Sequence, residues 1–167
     1  SKEAMQLAGY NFPGQTEMIA LLSRSTRVVM MLVSSKMRVG LVTIHAPLRS
    51  VPDSISSEKI IEKAKTMAES LKRDFRIQKP RIAILGLNPH AGEHGILGSE
   101  EQEIIEPAVA EIRSLGIDAE GPLPADGFFT TSLSDQVSST SAANKSVSTT
   151  FSIFSFLSGG SDRFCPA

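Results

Sequence analysis

The sequence predicts an α/β fold, a three-layer sheet with crossover helices. Three observations predict it. Short, β-branched apolar runs of strand length recur at residues 27–33, 37–44 and 81–86. Longer amphipathic stretches with helical spacing occupy about 56–75 and 99–115. The two kinds alternate along the chain, as they do where helices connect neighbouring strands of one sheet.

Bulk composition bounds the class. A chain of 167 residues can build one domain with a sizeable core. With 41% hydrophobic and 21% charged residues and a formal net charge of -1, it is ordinary for a globular protein and lacks a strongly basic nucleic-acid footprint. Cys165 is the only cysteine, which excludes an internal disulfide or a cysteine-based zinc site and fits a reducing cytoplasm. The longest apolar stretch, 28–33, is six residues, whereas a membrane span needs about 20. The chain starts at Ser1 and runs directly into a helix-like pattern, so it reads as cut from something longer.

In order, residues 1–9 suit a short helix ended by Gly9, and Asn11-Phe12-Pro13-Gly14 reads as a turn. Thr16 can open a helix with Met18, Ile19, Leu21 and Leu22 as its apolar stripe. The run 27–33 fits a strand buried on both faces, and 37–44 a second strand ended by His45-Ala46-Pro47. Ser56 or Ser57 caps a helix to about Phe75, carrying Ile60, Ile61, Ala64, Met67, Ala68 and Leu71 at helical spacing. A third strand follows at 81–86, with Leu87-Asn88-Pro89-His90-Ala91-Gly92-Glu93 as the loop after it. Ser99 starts the next helix, which Glu100, Glu101 and Glu103 favour at its positive end and Gly116 stops. A short strand at 117–120 and an extended loop, Gly121-Pro122-Leu123-Pro124-Ala125-Asp126, complete the regular part.

Beyond Phe129 the character changes. Residues 130–167 contain 11 Ser and 5 Thr in 38 positions, too little apolar area to offset the entropy of ordering them. We therefore divide the chain into a region 1–129 and a Ser/Thr-rich tail 130–167 expected to be irregular, although its alternating Phe/Ser stretch at 151–157 can make a strand.

Ligands of open α/β sheets bind outside the carboxyl ends of the strands. His45 and His90 both fall just past such ends, where two neutral imidazoles can begin a divalent-metal site. A loop histidine is more often a surface or capping residue, Asp126 can be a plain turn residue, and Glu100, Glu101 and Glu103 a solvated helix start. Spacing alone leaves the function open.

The string Gly86-Leu87-Asn88-Pro89-His90-Ala91-Gly92-Glu93 with Gly98, Glu100 and Glu101, followed by Gly121-Pro122-Leu123-Pro124-Ala125-Asp126, resembles the two central motifs of the 4-hydroxythreonine-4-phosphate dehydrogenase family of vitamin B6 synthesis. Arg27 to Val33, Arg38-Val39 and Thr43-Ile44-His45-Ala46-Pro47-Leu48 are similar to the same family in the same order, so the resemblance spans residues 2–129. It implies a central fragment of a two-domain fold like that of isocitrate and isopropylmalate dehydrogenases. The implied reaction is oxidation and decarboxylation of 4-phosphohydroxy-L-threonine, with NAD or NADP and one divalent metal (zinc, magnesium or cobalt), in a cytoplasmic homodimer.

By the same resemblance His45 and His90 are metal ligands, Asp126 is a catalytic and substrate-binding carboxylate, and Gln15 and Thr16 contact the substrate phosphate. Gln15 stands where the family usually has histidine, and His94 where it commonly has glycine. The family's third metal-binding histidine lies in a Met-Tyr-His-Asp-Gln-Gly motif that this sequence lacks. No Gly-x-Gly-x-x-Gly follows any strand, so the cofactor-binding residues are unknown. Two alternatives stay beside this reading: an inactive binding or dimerisation module, and a related dehydrogenase for another hydroxy acid phosphate.

Overall fold

A computed structural model describes residues 2–10, 12, 14–34, 37–129 and 148–152. Two short helices open it, α1 (Lys2–Leu7) and α2 (Gln15–Leu22). The apolar stripe expected of α2 does not enter the core: none of its residues is buried, and Ile19, Leu21 and Leu22 lie exposed.

Strands β1 (Met30–Val33), β2 (Arg38–Leu41), β3 (Arg81–Leu85), β4 (Asp118–Leu123) and β5 (Ser148–Ser152) form one sheet in the order β1-β2-β5-β3-β4. β1 pairs antiparallel with β2, and every other pairing is parallel. The expectation that 27–33 is buried on both faces is corrected here. Among the described residues β1 is an edge strand, and its Leu32 and Val33 are exposed, because a side chain is buried only where another layer covers its face of the sheet.

The expectation of an irregular tail is corrected over five residues. β5 pairs with β2 through Arg38↔Thr149 to Leu41↔Ser152, and with β3 through Arg81↔Ser148 to Ile84↔Phe151. Two parallel strands held apart expose unpaired backbone donors and acceptors toward each other. The Ser-Thr-Thr-Phe-Ser segment of β5 pairs along both rows. The remainder of the tail, including 153–157 of the expected Phe/Ser strand, lies outside the described residues.

Helix α4 (Ser57–Arg73) links β2 to β3, and α5 (Glu106–Ser114) links β3 to β4. A 3-10 turn at Leu48–Ser50 and α3 (Val51–Ser54) precede α4. The Lys59 amide donates to Ser56 Oγ at 3.3 Å, confirming Ser56 as the cap. A backbone hydrogen bond, then the Ser56 hydroxyl, holds the Glu58 carboxyl below the usual carboxylate range. Both connections step across the sheet in the same direction, and right-handed crossovers then put both helices on one face. Accordingly Ile60, Ala64, Met67, Ala68 and Leu71 of α4 meet Ala108, Val109 and Ile112 of α5 over Ile82 and Ile84 of β3 in a single core. Of the expected three layers, this packing supplies the sheet and one helical layer.

The helix expected from Ser99 is not a uniform α-helix. Its first part, Glu101–Ile105, is a π-turn that runs into α5. Gly116, with φ of 77°, ends it as expected. β4 takes in Gly121, Pro122 and Leu123, which were expected in a loop, and residues 125–129 are helical.

Two substitutions test this core. Met67→Ala, at a fully buried position, should lower unfolding free energy in urea by about 2–5 kcal/mol. Ser56→Ala should cost about 1 kcal/mol through loss of the cap. An unchanged urea midpoint for Met67→Ala contradicts the packing described.

Candidate active site

Because β2, β5 and β3 are mutually parallel, the loops after β2 and β3 leave the same rim of the sheet. His45 follows β2 and His90 follows β3, as the strand-end argument expects. β5 stands between those strands, so with about 4.8 Å per strand their axes are roughly 10 Å apart.

On the β2 side, Nδ1 of His45 lies 3.4 Å from Glu17 Oε1 in the first turn of α2. Gly14, the N-cap of α2, lies directly against the His45 ring, and a Cβ there would collide with it. Gln15 and Thr16, the expected phosphate contacts, are the first two residues of that helix and thus neighbours of the His45 contact. The α2 N-cap, Gly14, offers no side-chain cap.

On the β3 side, Nδ1 of His90 lies 3.3 Å from Asp126 Oδ2. The two expected site residues of this half are therefore together, each more than half exposed. The structure forms two histidine–carboxylate pairs, one on either side of β5. Among the described residues, no three His, Cys, Asp or Glu side chains converge into a group able to hold a metal ion.

Both histidines have left-handed backbone, with φ of 55° at His45 and 53° at His90. This conformation is uncommon for residues with a Cβ. At His90 it extends through five consecutive residues, His90 to His94, at φ of 53°, 54°, 78°, 44° and 57°. Only Gly92 among them adopts it without penalty.

One side chain that sequence reasoning left on the surface holds this turn. Glu101, read there as part of a solvated helix start, is 2% exposed. Its Oε1 accepts from the amides of Leu87 and Asn88, both at 2.8 Å, and its Oε2 accepts from Asn88 Nδ2 at 2.9 Å. The same Asn88 Nδ2 donates to Glu100 Oε2 at 2.8 Å. A Cβ at Gly86 would come within 3.1 Å of Glu101 Oε1, and one at Gly92 within 2.6 Å of Oε2. The glycine spacing of the motif was the available signal: residues without a Cβ on both sides of His90 imply that something approaches the backbone closely.

Beside the turn opens a pocket of about 570 Å³, whose walls include His90, His94, Gln102, Glu106 and Arg113. Arg113 also donates from Nε to the Ala119 carbonyl at 2.6 Å, tying the pocket floor to β4.

Comparison with known proteins supplies what geometry alone does not. Residues 1–142 match the family model described as pyridoxal phosphate biosynthetic protein PdxA. The chain is 51% identical over 129 residues to 4-hydroxythreonine-4-phosphate dehydrogenase of Geobacter metallireducens, covering 77% of this chain and 38% of that protein. It is 47% identical over 129 residues to the enzyme of the same name from Pseudomonas putida, covering 77% and 39%. Its fold matches the crystal structure of 4-hydroxythreonine-4-phosphate dehydrogenase from Klebsiella pneumoniae with a TM-score of 0.76 and 34% identity, over 92% of this chain and 43% of that one. The chain thus spans about two fifths of the length of these relatives. By the extent of that match, the strand-end motifs and the shared fold, it belongs to the PdxA family of pyridoxal phosphate biosynthetic proteins.

Proposed function

We propose that this chain carries part of the active site of an NAD- and divalent-metal-dependent dehydrogenase. The reaction is oxidation and decarboxylation of 4-phosphohydroxy-L-threonine to 3-amino-2-oxopropyl phosphate, a step of pyridoxal phosphate biosynthesis. Family membership and the names of its relatives support the reaction. The geometric observation that carries the reading is the duplicated histidine–carboxylate pair at two parallel strand ends.

The donor set fits a divalent metal in part. A metal-binding imidazole commonly has its second nitrogen oriented by a carboxylate. With Nδ1 of His45 on Glu17 and Nδ1 of His90 on Asp126, the Nε2 atoms are the ones for a cation. Two imidazoles are fewer than the three protein ligands usual at a catalytic site, which agrees with a chain shorter than its relatives. A bound divalent cation supplies Lewis acidity toward a substrate oxygen.

The protein's own groups do the rest. Asp126 holds the His90 ring and is a carboxylate for taking the proton of the substrate hydroxyl or fixing its amino group. The uncapped amides of the first α2 turn, with the Thr16 hydroxyl, suit a phosphate, since a helix N-terminus offers both donors and positive potential. Gln15 adds a neutral hydrogen-bonding group there. In this reading residues 1–129 are the catalytic region and 130–167 a tail of different character. The whole fold is the two-domain kind of the isocitrate and isopropylmalate dehydrogenases, working as a homodimer.

A second reading has its own observation. Leu7, Ile19, Leu21, Leu22, Leu32 and Val33 form exposed apolar surface on α1, α2 and β1, as expected of a module that serves association alone. Cobalt(II) titration followed by its visible absorption separates the two. The dehydrogenase reading expects binding that weakens by about tenfold or more in both His45→Ala and His90→Ala, and an association module expects binding indifferent to both. NADH formation from 4-phosphohydroxy-L-threonine, NAD and zinc tests the reaction itself. Thr16→Val should raise KM for the phosphorylated substrate by about tenfold if Thr16 bonds the phosphate.

A further inference from the structure

We infer that Glu101 is a positioning residue for the metal site: its buried carboxylate sets the left-handed turn that presents His90. The inference rests on the proposed role of His90 as a ligand, but its physical part concerns the protein alone. The carboxylate is 2% exposed, receives three hydrogen bonds from Leu87 and Asn88, and among the described residues has no cation as a hydrogen-bonding partner. A buried charge satisfied only by amides is expensive to keep unless those amides are fixed. Here they belong to the two residues before Pro89, where the chain leaves β3 for the turn.

The path is short and continuous. Glu101 fixes the amides of Leu87 and Asn88, and the Asn88 carbonyl accepts the Ala91 amide at 3.2 Å. That bond brackets Pro89 and His90. The far side is closed by the Leu97 amide on the Gly92 carbonyl at 3.1 Å. The Gly92 Cα lies under the other carboxylate oxygen, close enough that a Cβ would be 2.6 Å from it. Carboxylate and turn are thus mutually fitted. Glu101 also opens the π-turn before α5, an irregularity that often accompanies functional sites.

Glu101→Gln keeps size and one acceptor oxygen but turns an amide group toward Asn88 Nδ2, a donor facing a donor. The full chain and this variant are compared by amide hydrogen exchange, by the NMR resonances of the His90 ring at fixed pH without metal, and by cobalt(II) titration. Expected are exchange at Leu87 and Asn88 faster by about tenfold or more, displaced His90 ring resonances with those of His45 unmoved, and cobalt affinity lower by about 10-fold to 100-fold. Exchange in the α4 core should stay as in the parent chain, which a general loss of stability would not allow.

If Glu101→Gln does not fold, Gly92→Ala perturbs the same contact from the opposite side and is read identically. Unmoved His90 resonances, or unchanged cobalt affinity despite faster exchange at Leu87 and Asn88, overturn the inference. Failure of the parent chain to bind cobalt instead sinks the metal reading, and the metal-free measurements alone then decide whether Glu101 sets the turn.

Discussion

The carboxylate of Glu101, buried against the amides of Leu87 and Asn88, is the interaction on which the best-formed half of the site depends. Left-handed backbone costs roughly 1–2 kcal/mol at each residue with a Cβ. Four such residues, His90, Ala91, Glu93 and His94, follow one another with only Gly92 to relieve them. A conformation of that cost persists only where its surroundings over-determine it. Three charge-assisted hydrogen bonds to one side chain, with glycines at 86 and 92 that let it approach, are such surroundings.

The β2 side solves the same problem by other means. His45 is also left-handed, but a different helix restrains it: the first turn of α2 brings Glu17 to its Nδ1 and the Gly14 backbone to its ring. α2 otherwise contributes nothing to the core, since none of its residues is buried. Gly14 and Glu17 attach the helix at the site, and Thr16, Met18 and Ala20 are only partly buried. The two halves therefore differ in construction, one built on a buried carboxylate and a core helix, the other on a surface helix that meets His45 through Glu17 and Gly14.

Much of this was legible in the residues, and the exceptions have identifiable causes. The period of Ile60, Ala64, Met67 and Leu71 locates α4 and its buried face, and narrows its cap to Ser56 or Ser57, because helix period and cap chemistry are local properties. The strand ends that carry His45 and His90 follow from apolar runs ended by proline-containing turns. What escaped depends on tertiary context. An apolar run at 27–33 does not say whether packing layers will cover both of its faces, and here Leu32 and Val33 stay exposed. A run of glutamates at a helix start looks solvated, and only the loop folding back over Glu101 buries it. The pairing of Asp126 with His90 joins segments far apart in sequence, so no spacing rule reveals it. A Ser/Thr-rich stretch shows no strand signal of its own, and β5 owes its form to the slot that receives it.

That slot has a bearing on how the molecule comes into being. Residues 148–152 lie between strands made from residues 38–41 and 81–85, so the middle of the sheet is filled by a segment that follows the other described strands in the chain. Contacts that join such distant stretches are the slow ones in folding. While a ribosome is still making the intervening chain, β2 and β3 face each other across an unfilled gap. The core of α4 and α5 over β3 can assemble during that interval and already takes in Val42 beside β2, whereas the backbone pairing that ties the rim bearing His45 to the rim bearing His90 forms when β5 docks.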